Sequence, residues 1–427
     1  MVTEMREMKD SGIPWIGTIP GNWNIVRVKE QSVLKTGKTP PTSVSDWFDG
    51  HCAWYTPGDF HNSFDLGFSQ RTLSEKAKMD NVCIVLPKDS VLIIGIGGTA
   101  GKVAYANIEC SCNQQITALI PVCVNSRFLM YCMISSSEHL KNTALYTTLP
   151  IINNQFLGNW HFAIPSDIKM QQLIASFLDA KCAEIDALSA DIQAEIDTLE
   201  AYKRSVITET VTKGLDRSVP MKDSGIPWVG GIPATWAVHP VYYFFDERKN
   251  KNYALQEQNL LSLSYGKIVR KDIDTAGGLL PASFTTYNIV EAGDIIIRPT
   301  DLQNDKRSLR TGLVTEKGII TSAYIDLAPR KGVRSAYFHY LLHSFDVQKV
   351  FYNMGNGVRQ GLNYSEFSKL MVFAPPVEEQ DSIVAYLDKT CAEIDSIIAQ
   401  KREQLAVLAD YKKSIIYEYV TGKKEVV

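Results

Sequence analysis

The residues most suggestive of chemistry form a glycine-rich segment at 95–102, which reads G-I-G-G-T-A-G-K. A phosphate-binding P-loop needs the spacing G-x-x-x-x-G-K-[ST], but Ile96 stands where the first glycine should be and Val103 follows the lysine. The dinucleotide pattern G-x-G-x-x-A is present, yet it should open a helix, and the following K-V-A-Y-A alternates as a strand does. We therefore predict a hairpin tip, in which Thr99 and Lys102 can approach a phosphate closely.

A pair of histidines, His339 and His343, has the four-residue spacing of a helical zinc site. The glutamate of H-E-x-x-H is missing, and the aromatic and aliphatic residues around the pair indicate a packed helix instead. The sequence contains no glycine-flanked serine elbow and neither N-P-P-[YF] nor D-P-P-Y, the signature of adenine methyltransferases. We therefore predict no catalytic residue, metal site or cofactor in this chain, and a recognition or scaffold protein rather than an enzyme.

Basic and amide side chains are concentrated in loops, where they can bind DNA. Arginine recognises guanine edges, glutamine and asparagine recognise adenine, and lysine neutralises phosphate. A solvated surface is the alternative interpretation of each single residue. Two of the residues occupy the tip of the glycine-rich segment 355–361. The predicted DNA-binding residues are Lys35, Lys38, Arg71, Thr99, Lys102, Gln114, Gln115, Arg248, Lys249, Arg298, Gln303, Lys306, Arg307, Arg310, Arg359 and Gln360.

The composition is that of a globular protein, with 427 residues of which 45% are hydrophobic and 21% charged. A net charge of -3 does not announce a nucleic-acid binder, but a basic groove can be offset by acidic helices elsewhere. The eight cysteines form no C-x-x-C pair, which predicts buried free thiols in a reducing compartment. No run of 18 apolar residues occurs, so we expect a cytoplasmic protein without a membrane span.

Two long helices are the elements that must position these loops. Residues 171–212 lack glycine and proline, and their apolar residues step by three and four, as in a helix that pairs with another helix. Residues 380–421 repeat this stretch at a shift of 209, with 18 of 42 positions identical. We predict that the two copies pack on each other. The predicted seam residues are Leu178, Ile185, Leu199, Tyr202, Leu387, Ile394, Leu408 and Tyr411.

A second repeat marks the start of each half of the chain. Residues 8–23 and 221–236 match at 12 of 16 positions, and their glycine and proline content predicts an irregular segment pinned by tryptophan. The sequences then diverge before similarity returns ahead of each helix. We predict two α/β (α+β) modules, each with a largely antiparallel central sheet that includes strands at 90–94, 116–122, 294–297 and 319–327. Shorter helices are expected around 126–136 and 335–350.

This organisation resembles the DNA-specificity subunit of type I restriction-modification systems. The resemblance rests on the G-I-P-W-[IV]-G-x-I-P-x-x-W segments at 12–23 and 225–236, and on the A-E-I-D and Y-K-[RK]-S-[VI]-I motifs of both long helices. It implies an internal pseudo-twofold repeat, with target-recognition domains at 1–165 and 215–376 and conserved helices at 166–214 and 377–427. The two helices should lie antiparallel as a coiled coil.

The resemblance also implies a function. Each recognition domain would read one half of a bipartite site in double-stranded DNA, and the helix pair would set the spacer and dock methyltransferase subunits, two of them expected. A restriction and motor subunit would complete the assembly. S-adenosylmethionine, ATP and magnesium would then belong to those partners. The alternative is a coiled-coil scaffold that does not bind DNA.

Overall fold

The computed structural model describes residues 6–61, 63–146, 149–272, 283–300, 302, 309–354 and 361–426. The chain divides into two compact units, Met1–Ile192 with Glu403–Val427, and Gln193–Arg402. Each long helix contributes residues to both units. The predicted boundaries, which separate the long helices from the recognition domains, remain a prediction.

The first unit is a mixed α/β structure. Its strands are β1 (Met8–Asp10), β2 (Thr18–Pro20), β3 (Trp23–Arg27), β4 (Ser32–Thr36), β5 (Phe48–Tyr55), β6 (Arg71–Leu73), β7 (Ser90–Ile94), β8 (Val103–Ala106), β9 (Cys110–Cys112), β10 (Ile116–Pro121), β11 (Leu145–Tyr146), β12 (Pro150–Ile151) and β13 (His161–Pro165). Its helices are α1 (Val28–Gln31), α2 (Glu75–Met79), α3 (Ser126–Thr143), α4 (Asn154–Gly158) and the first part of α5 (Ile168–Lys213). Single 3₁₀ turns lie at Ser45–Trp47 and Pro57–Asp59.

A four-stranded antiparallel sheet with the order β4-β10-β7-β8 is the centre of this unit. Every residue of β7 is buried, as expected of a short apolar run with both faces covered. The strands β7 and β8 form a hairpin around residues 95–102, so the predicted strand after the glycine-rich segment is confirmed. A smaller sheet, β6-β5-β9, adds one parallel pair between β5 and β9.

The second unit has a comparable set of elements. Its strands are β14 (Met221–Asp223), β15 (Gly231–Pro233), β16 (Ala237–Pro240), β17 (Phe245–Glu247), β18 (Leu261–Ser264), β19 (Lys267–Arg270), β20 (Asn288–Val290), β21 (Ile295–Ile297), β22 (Thr311–Leu313), β23 (Gly318–Ile320), β24 (Ile325–Pro329) and β25 (Met371–Ala374). Its helices are α6 (Val241–Phe244), α7 (Ser335–Val347), α8 (Tyr364–Phe367) and the first part of α9 (Val377–Val420), with a 3₁₀ turn at Val350–Asn353.

The central sheet of the second unit, β17-β24-β21-β22, repeats the strand order of the first. The flanking pairs repeat as well, since β14 pairs with β15 as β1 does with β2, and β16 with β25 as β3 does with β13. The internal repeat is therefore structural. One prediction is wrong in detail: residues 319–327 are not one strand, because the chain turns between β23 and β24.

Each unit is attached to its long helix by the same contacts. Tyr131 of α3 donates a hydrogen bond to Asp179 of α5 at 2.8 Å, and Tyr340 of α7 donates to Asp388 of α9 at 2.6 Å. The tryptophans that end the two repeated opening segments, Trp23 and Trp236, are buried in the apolar core of their unit. These residues recur at fixed spacing because they join each domain to its helix.

The long helices run antiparallel. In the first unit the rings of Phe177 and Tyr419 contact each other, with centroids 4.4 Å apart, and in the second unit Lys203 reaches Asp395 at 2.6 Å. The predicted seam residues Leu178, Ile185, Leu387 and Ile394 are buried, and Leu199 and Leu408 are partly buried.

Two other predicted seam residues are corrected by the structure. Tyr202 and Tyr411 are more than half exposed, because the lysine that follows each of them is the residue that faces the other helix. Lys401, which occupies the place of the apolar Ile192, forms an ion pair with Glu195 across the helix pair. Arg402 and Glu200 form another at 2.9 Å. A lysine is therefore accommodated at this position because it reaches a carboxylate of the other helix.

The cysteines are unpaired, as predicted, and all but Cys123 are buried. Burial raises the pKa of the Cys110 thiol to about 12, so this cysteine packs as a small apolar residue. In the described ranges, no helix is both long and apolar enough to cross a membrane.

Candidate nucleic-acid interface

One end of the central sheet gathers the predicted residues of the first unit. The strands β4 and β7 finish there at Thr36 and Ile94, while β10 and β8 begin there, because all neighbours in this sheet are antiparallel. The three connections at this end therefore lie side by side. These connections carry Lys38, Thr99, Lys102, Gln114 and Gln115. Lys35 lies in β4 itself, one residue before the strand ends.

The glycine-rich hairpin at this end is anchored to α3. Lys141 donates to the carbonyl of Gly98 at 3.1 Å, and Ser137 donates to that of Gly101 at 2.6 Å. Gly101 has a φ of +87°, and a Cβ there would lie 2.8 Å from the carbonyl oxygen of Ser137, so only glycine fits. Thr99 and Lys102 are exposed at the tip. The predicted hairpin tip is thus held in place from behind while its side chains stay accessible.

An open groove of about 420 Å³ follows the same sheet end. Gln114, Gln115 and Ile151–Gln155 are among the residues that line this groove. The backbone N–H of Ile152 donates to the carbonyl of Gly95 at 2.7 Å, which fixes the segment before α4 against the hairpin. The sheet end and the segment before α4 together form a concave surface that carries several amide side chains.

The side chain of Arg71 is held near this sheet end by contacts between its guanidinium and two aromatic rings. Its guanidinium lies 4.4 Å from the ring centroid of Phe48 and 5.4 Å from that of Trp54. The indole N–H of Trp54 donates to the carbonyl of Lys38 at 3.3 Å. Lys38 extends to the carbonyl of Asn81 at 3.0 Å. Arg71 and Lys38 are therefore brought together by Trp54, although they are far apart in the chain.

The equivalent sheet end in the second unit carries those of the remaining predicted residues that the structure describes. The loop after β17 carries Arg248 and Lys249, and the β21–β22 connection starts at Arg298 and ends at Arg310. The backbone N–H of Leu362 donates to the carbonyl of Pro299 at 3.0 Å, as Ile152 donates to Gly95 in the first unit. The predicted Gln303, Lys306, Arg307, Arg359 and Gln360 lie outside the described residues.

The structure corrects the prediction for Arg310. This arginine is completely buried, and its guanidinium donates to the carbonyl oxygens of Arg298 and Thr300 within the same hairpin. Its backbone N–H donates to the carboxylate of Asp346. A side chain held in this way cannot reach a groove of DNA. Arg310 instead stabilises the hairpin through hydrogen bonds in its interior.

Arg248 is held by buried acids. Its guanidinium donates to both carboxylate oxygens of Asp294, at 2.7 and 3.0 Å, and its Nε lies 3.9 Å from Asp326. Both aspartates are buried. Burial and the charge of Asp294 raise the pKa of Asp326 well above its usual range. The arrangement ties β17 to β21 and β24 and leaves Arg248 a positioning role in this structure. Lys249 is exposed and pairs with Glu247 at 2.8 Å.

The histidine pair of α7 belongs to the packed interior, as predicted. Burial lowers the pKa of His339 to about 4, and burial together with Lys203 lowers that of His343 to about 4. Their ring centroids are 6.3 Å apart. Among the residues that the structure describes, no group of three or more His, Cys, Asp or Glu side chains is placed to hold a metal ion.

Sequence reasoning missed several polar residues of the groove. Asn154 accepts hydrogen bonds from the hydroxyls of Thr36 and Thr117 at 3.0 and 2.9 Å. Asn113, before the two predicted glutamines, accepts from the backbone N–H of Gln115 at 3.1 Å. A signal existed, since N-N-Q-F at 153–156 resembles N-Y-S-E-F at 363–367 in the second repeat, but nothing in the sequence placed it beside 113–115.

Comparison with known proteins agrees with this architecture. Residues 20–198 match the family described as the type I restriction modification DNA specificity domain. The type I restriction enzyme MjaVIII specificity subunit of Methanocaldococcus jannaschii is 20% identical over 422 residues, which are 95% of this chain and 93% of that protein. The MjaIX specificity subunit of the same organism is 28% identical over 171 residues, so that match spans 38% of this chain and 39% of that protein.

A solved structure has the same fold along the chain. A chain from the work on complex assembly and conformational transition of the type I R-M system matches with a TM-score of 0.68 at 15% identity. The match covers 95% of this chain and 99% of that chain. The domain match, the relatives along the chain and the repeated fold together make this protein similar to the type I restriction-modification specificity subunits.

Proposed function

We propose that this chain recognises a bipartite DNA sequence, with one half-site read by each recognition domain. The observation that carries the proposal is the repeated sheet end: two units with the same strand order place different polar and basic side chains at the same position. A shared scaffold with different side chains suits two related modules that bind different sequences. Double-stranded DNA is the ligand, with lysines for phosphate and arginine and amide groups for base edges.

The helix pair has two roles in this proposal. It sets the spacer between the half-sites, and it provides a docking surface for methyltransferase subunits, two of them expected. The antiparallel helices and their ion pairs support a stiff connection of defined length. The proposed domain limits are 1–165 and 215–376 for the recognition domains and 166–214 and 377–427 for the helices.

The chemistry belongs to partner subunits in this proposal. S-adenosylmethionine would be bound by the methyltransferase subunits, and ATP and magnesium by a restriction and motor subunit. This chain would act without a catalytic residue or cofactor of its own, by selecting the DNA on which those subunits work.

A domain exchange tests the proposal. Residues 24–160 are replaced by the corresponding segment of another specificity subunit, and the methylated motif is read by methylation-sensitive sequencing of DNA from cells that also carry the methyltransferase subunit. We expect one half of the motif to change while the other half stays the same. A change in both halves would contradict modular recognition.

A gel-shift measurement separates DNA recognition from a scaffold role. The chain in complex with its methyltransferase subunit should bind one sequence in preference to others, and Lys102→Ala should weaken binding to all sequences because a phosphate contact is lost. Binding without sequence preference, together with silent Ala substitutions at Lys102, Arg359 and Gln360, would favour the scaffold.

A further inference from the structure

The hydrogen bonds around Gln115 fix which end of its amide is presented to the groove. The backbone N–H of Gln115 can only donate, so the side-chain atom of Asn113 that it contacts at 3.1 Å is the carbonyl oxygen. The other atom of that amide, Nδ2, therefore donates to Oε1 of Gln115 at 3.0 Å. With its oxygen held by Asn113, Gln115 presents its NH₂ group.

Asn154, which lines the same groove, also has its amide oxygen engaged by the protein. Its Oδ1 accepts from the hydroxyls of Thr36 and Thr117, which uses both lone pairs of that oxygen. Thr117 is buried on β10, and Asn154 itself is exposed. Within the described part of the chain, Nδ2 of Asn154 and Nε2 of Gln115 have no hydrogen-bond partner. Both line the same groove.

We infer that Gln115 and Asn154 are specificity-determining residues that donate hydrogen bonds to a guanine in the half-site read by the first unit. This inference rests on the proposed function. Guanine alone presents two acceptors side by side in the major groove, N7 and O6. A groove that displays amide NH₂ groups with their oxygens engaged by the protein matches that edge.

The same geometry argues against the usual pairing of an amide with adenine. That pairing is bidentate, because the amide oxygen accepts from N6 while the NH₂ group donates to N7. Asn154 has no lone pair left for N6, and breaking its threonine contacts would leave the buried hydroxyl of Thr117 with only the hydroxyl of Thr36, 3.3 Å away, as an acceptor. Cytosine, whose major-groove group is a donor, would face the NH₂ groups with like polarity. Gln114 is held similarly, since its Oε1 accepts from Thr39.

Two isosteric substitutions test the assignment. Gln115→Glu and Asn154→Asp keep the oxygen that accepts from Asn113 or from the threonines, and they replace the NH₂ group by an oxygen that repels guanine acceptors. Asn107→Asp is the control, because it adds the same charge at an exposed position just beyond β8, at the opposite end of the sheet. A urea unfolding midpoint equal to that of Asn107→Asp reports that each variant is folded.

Base analogues make the test specific. The complex of the full chain with its methyltransferase subunit is titrated with duplexes in which each guanine of the relevant half-site is replaced in turn by 7-deazaguanine, which lacks N7. The wild-type complex should bind at least one of these duplexes about tenfold more weakly. Asn154→Asp or Gln115→Glu should bind the unmodified duplex about tenfold more weakly, with almost no further loss for the analogue at the same position.

The outcomes are distinguishable. The guanine assignment would be overturned if the variants bound the duplex as tightly as Asn107→Asp does. It would also be overturned if the loss of affinity caused by the base analogue multiplied the loss caused by the variant. Both results would leave sequence-specific recognition intact. A wild-type complex that binds all sequences equally would overturn the proposed function itself. Loss of discrimination at one guanine alone, with the other half-site and the spacer unchanged, is the result that supports the inference.

Discussion

Lys412 donates to both carboxylate oxygens of Asp186, at 2.7 and 2.8 Å, across the antiparallel helices of the first unit. The same pair recurs in the second unit with the partners exchanged, since Lys203 donates to both oxygens of Asp395 at 2.6 and 2.7 Å. At the shift of 209, Lys203 corresponds to Lys412 and Asp186 to Asp395. Each helix thus provides a lysine for one contact and an aspartate for the other.

Reversing one of these charges should weaken the first unit. Lys412→Asp places two carboxylates together and removes the cation from the face of Phe64, where it lies 4.3 Å from the ring centroid. We expect the free energy of unfolding to fall by about 1 kcal/mol, because the pair is partly exposed. Urea denaturation measures the change.

Adding Asp186→Lys to that variant should restore part of the loss. Lys413→Asp serves as the control, since Lys413 is largely exposed and pairs only with Asp410 on its own helix among the described residues. An equal cost for Lys412→Asp and Lys413→Asp would show that the contact between the helices does not contribute.

The equivalent leucines of the two long helices should contribute equally to the free energy of unfolding. Leu178 and Leu387 are fully buried, each in the core of its own unit. Replacing either by alanine removes buried methyl groups and leaves a cavity, so we expect a loss of about 2–5 kcal/mol in unfolding free energy. Leu188→Ala provides the comparison, because Leu188 is 48% exposed and should cost much less. Urea denaturation followed by tryptophan fluorescence reports each variant.

Asp326→Asn should stabilise the second unit increasingly as the pH rises. The pKa of Asp326 is raised by burial and by Asp294, so the folded state keeps a proton that the unfolded state releases. Stability is therefore lost as the pH increases above the ordinary aspartate range, and asparagine removes that loss. We expect the gain in melting temperature over the wild type to grow from about pH 5 to about pH 8.

The surface offers a control for this pH dependence. Asp246 pairs with Arg330 at 2.7 Å and is 62% exposed, so Asp246→Asn should change the unfolding free energy by less than about 1 kcal/mol. A gain for Asp326→Asn that shrinks with rising pH would mean that Asp326 is ionised in the folded protein and held by Arg248.

Lengthening the helix pair should change the spacer of the recognised sequence. Seven residues inserted within 187–200, with seven more at the corresponding 396–409, add two turns to both helices and about 10 Å of length. At 3.4 Å per base pair, we expect a spacer longer by about 3 base pairs with both half-sites unchanged. Sequencing of the methylated motif measures this. Insertion in one helix alone should instead abolish methylation, because the seam loses its register.

The repeats made much of the fold predictable from the sequence. The gapless copy of the helix, the duplicated opening segments and the buried strand at 90–94 each depend on local pattern, which periodicity reveals. The gathering of Lys38, Lys102 and Gln115 at one sheet end was not predictable, because it depends on strand order and register. A central sheet of four antiparallel strands brings together loops that are distant in the chain.

Individual side chains were harder to assign than elements. In the sequence, Arg310 cannot be distinguished from any other arginine in a predicted loop. In the structure it is buried and donates hydrogen bonds to backbone carbonyls. Asn154 had no motif of its own, and its orientation follows from two threonines on neighbouring strands. Such outcomes are decided by three-dimensional hydrogen-bond partners, which spacing along one chain does not encode.

The ion pairs in the middle of the helices favour pairing between the two different long helices. Glu195 and Glu200, which bind Lys401 and Arg402, correspond in the other repeat to Gln404 and Ala409. If α9 paired with a second copy of itself in this register, neither cation would meet a carboxylate. The unlike helices of one chain are therefore favoured over like helices from two chains, and every molecule keeps one of each recognition module.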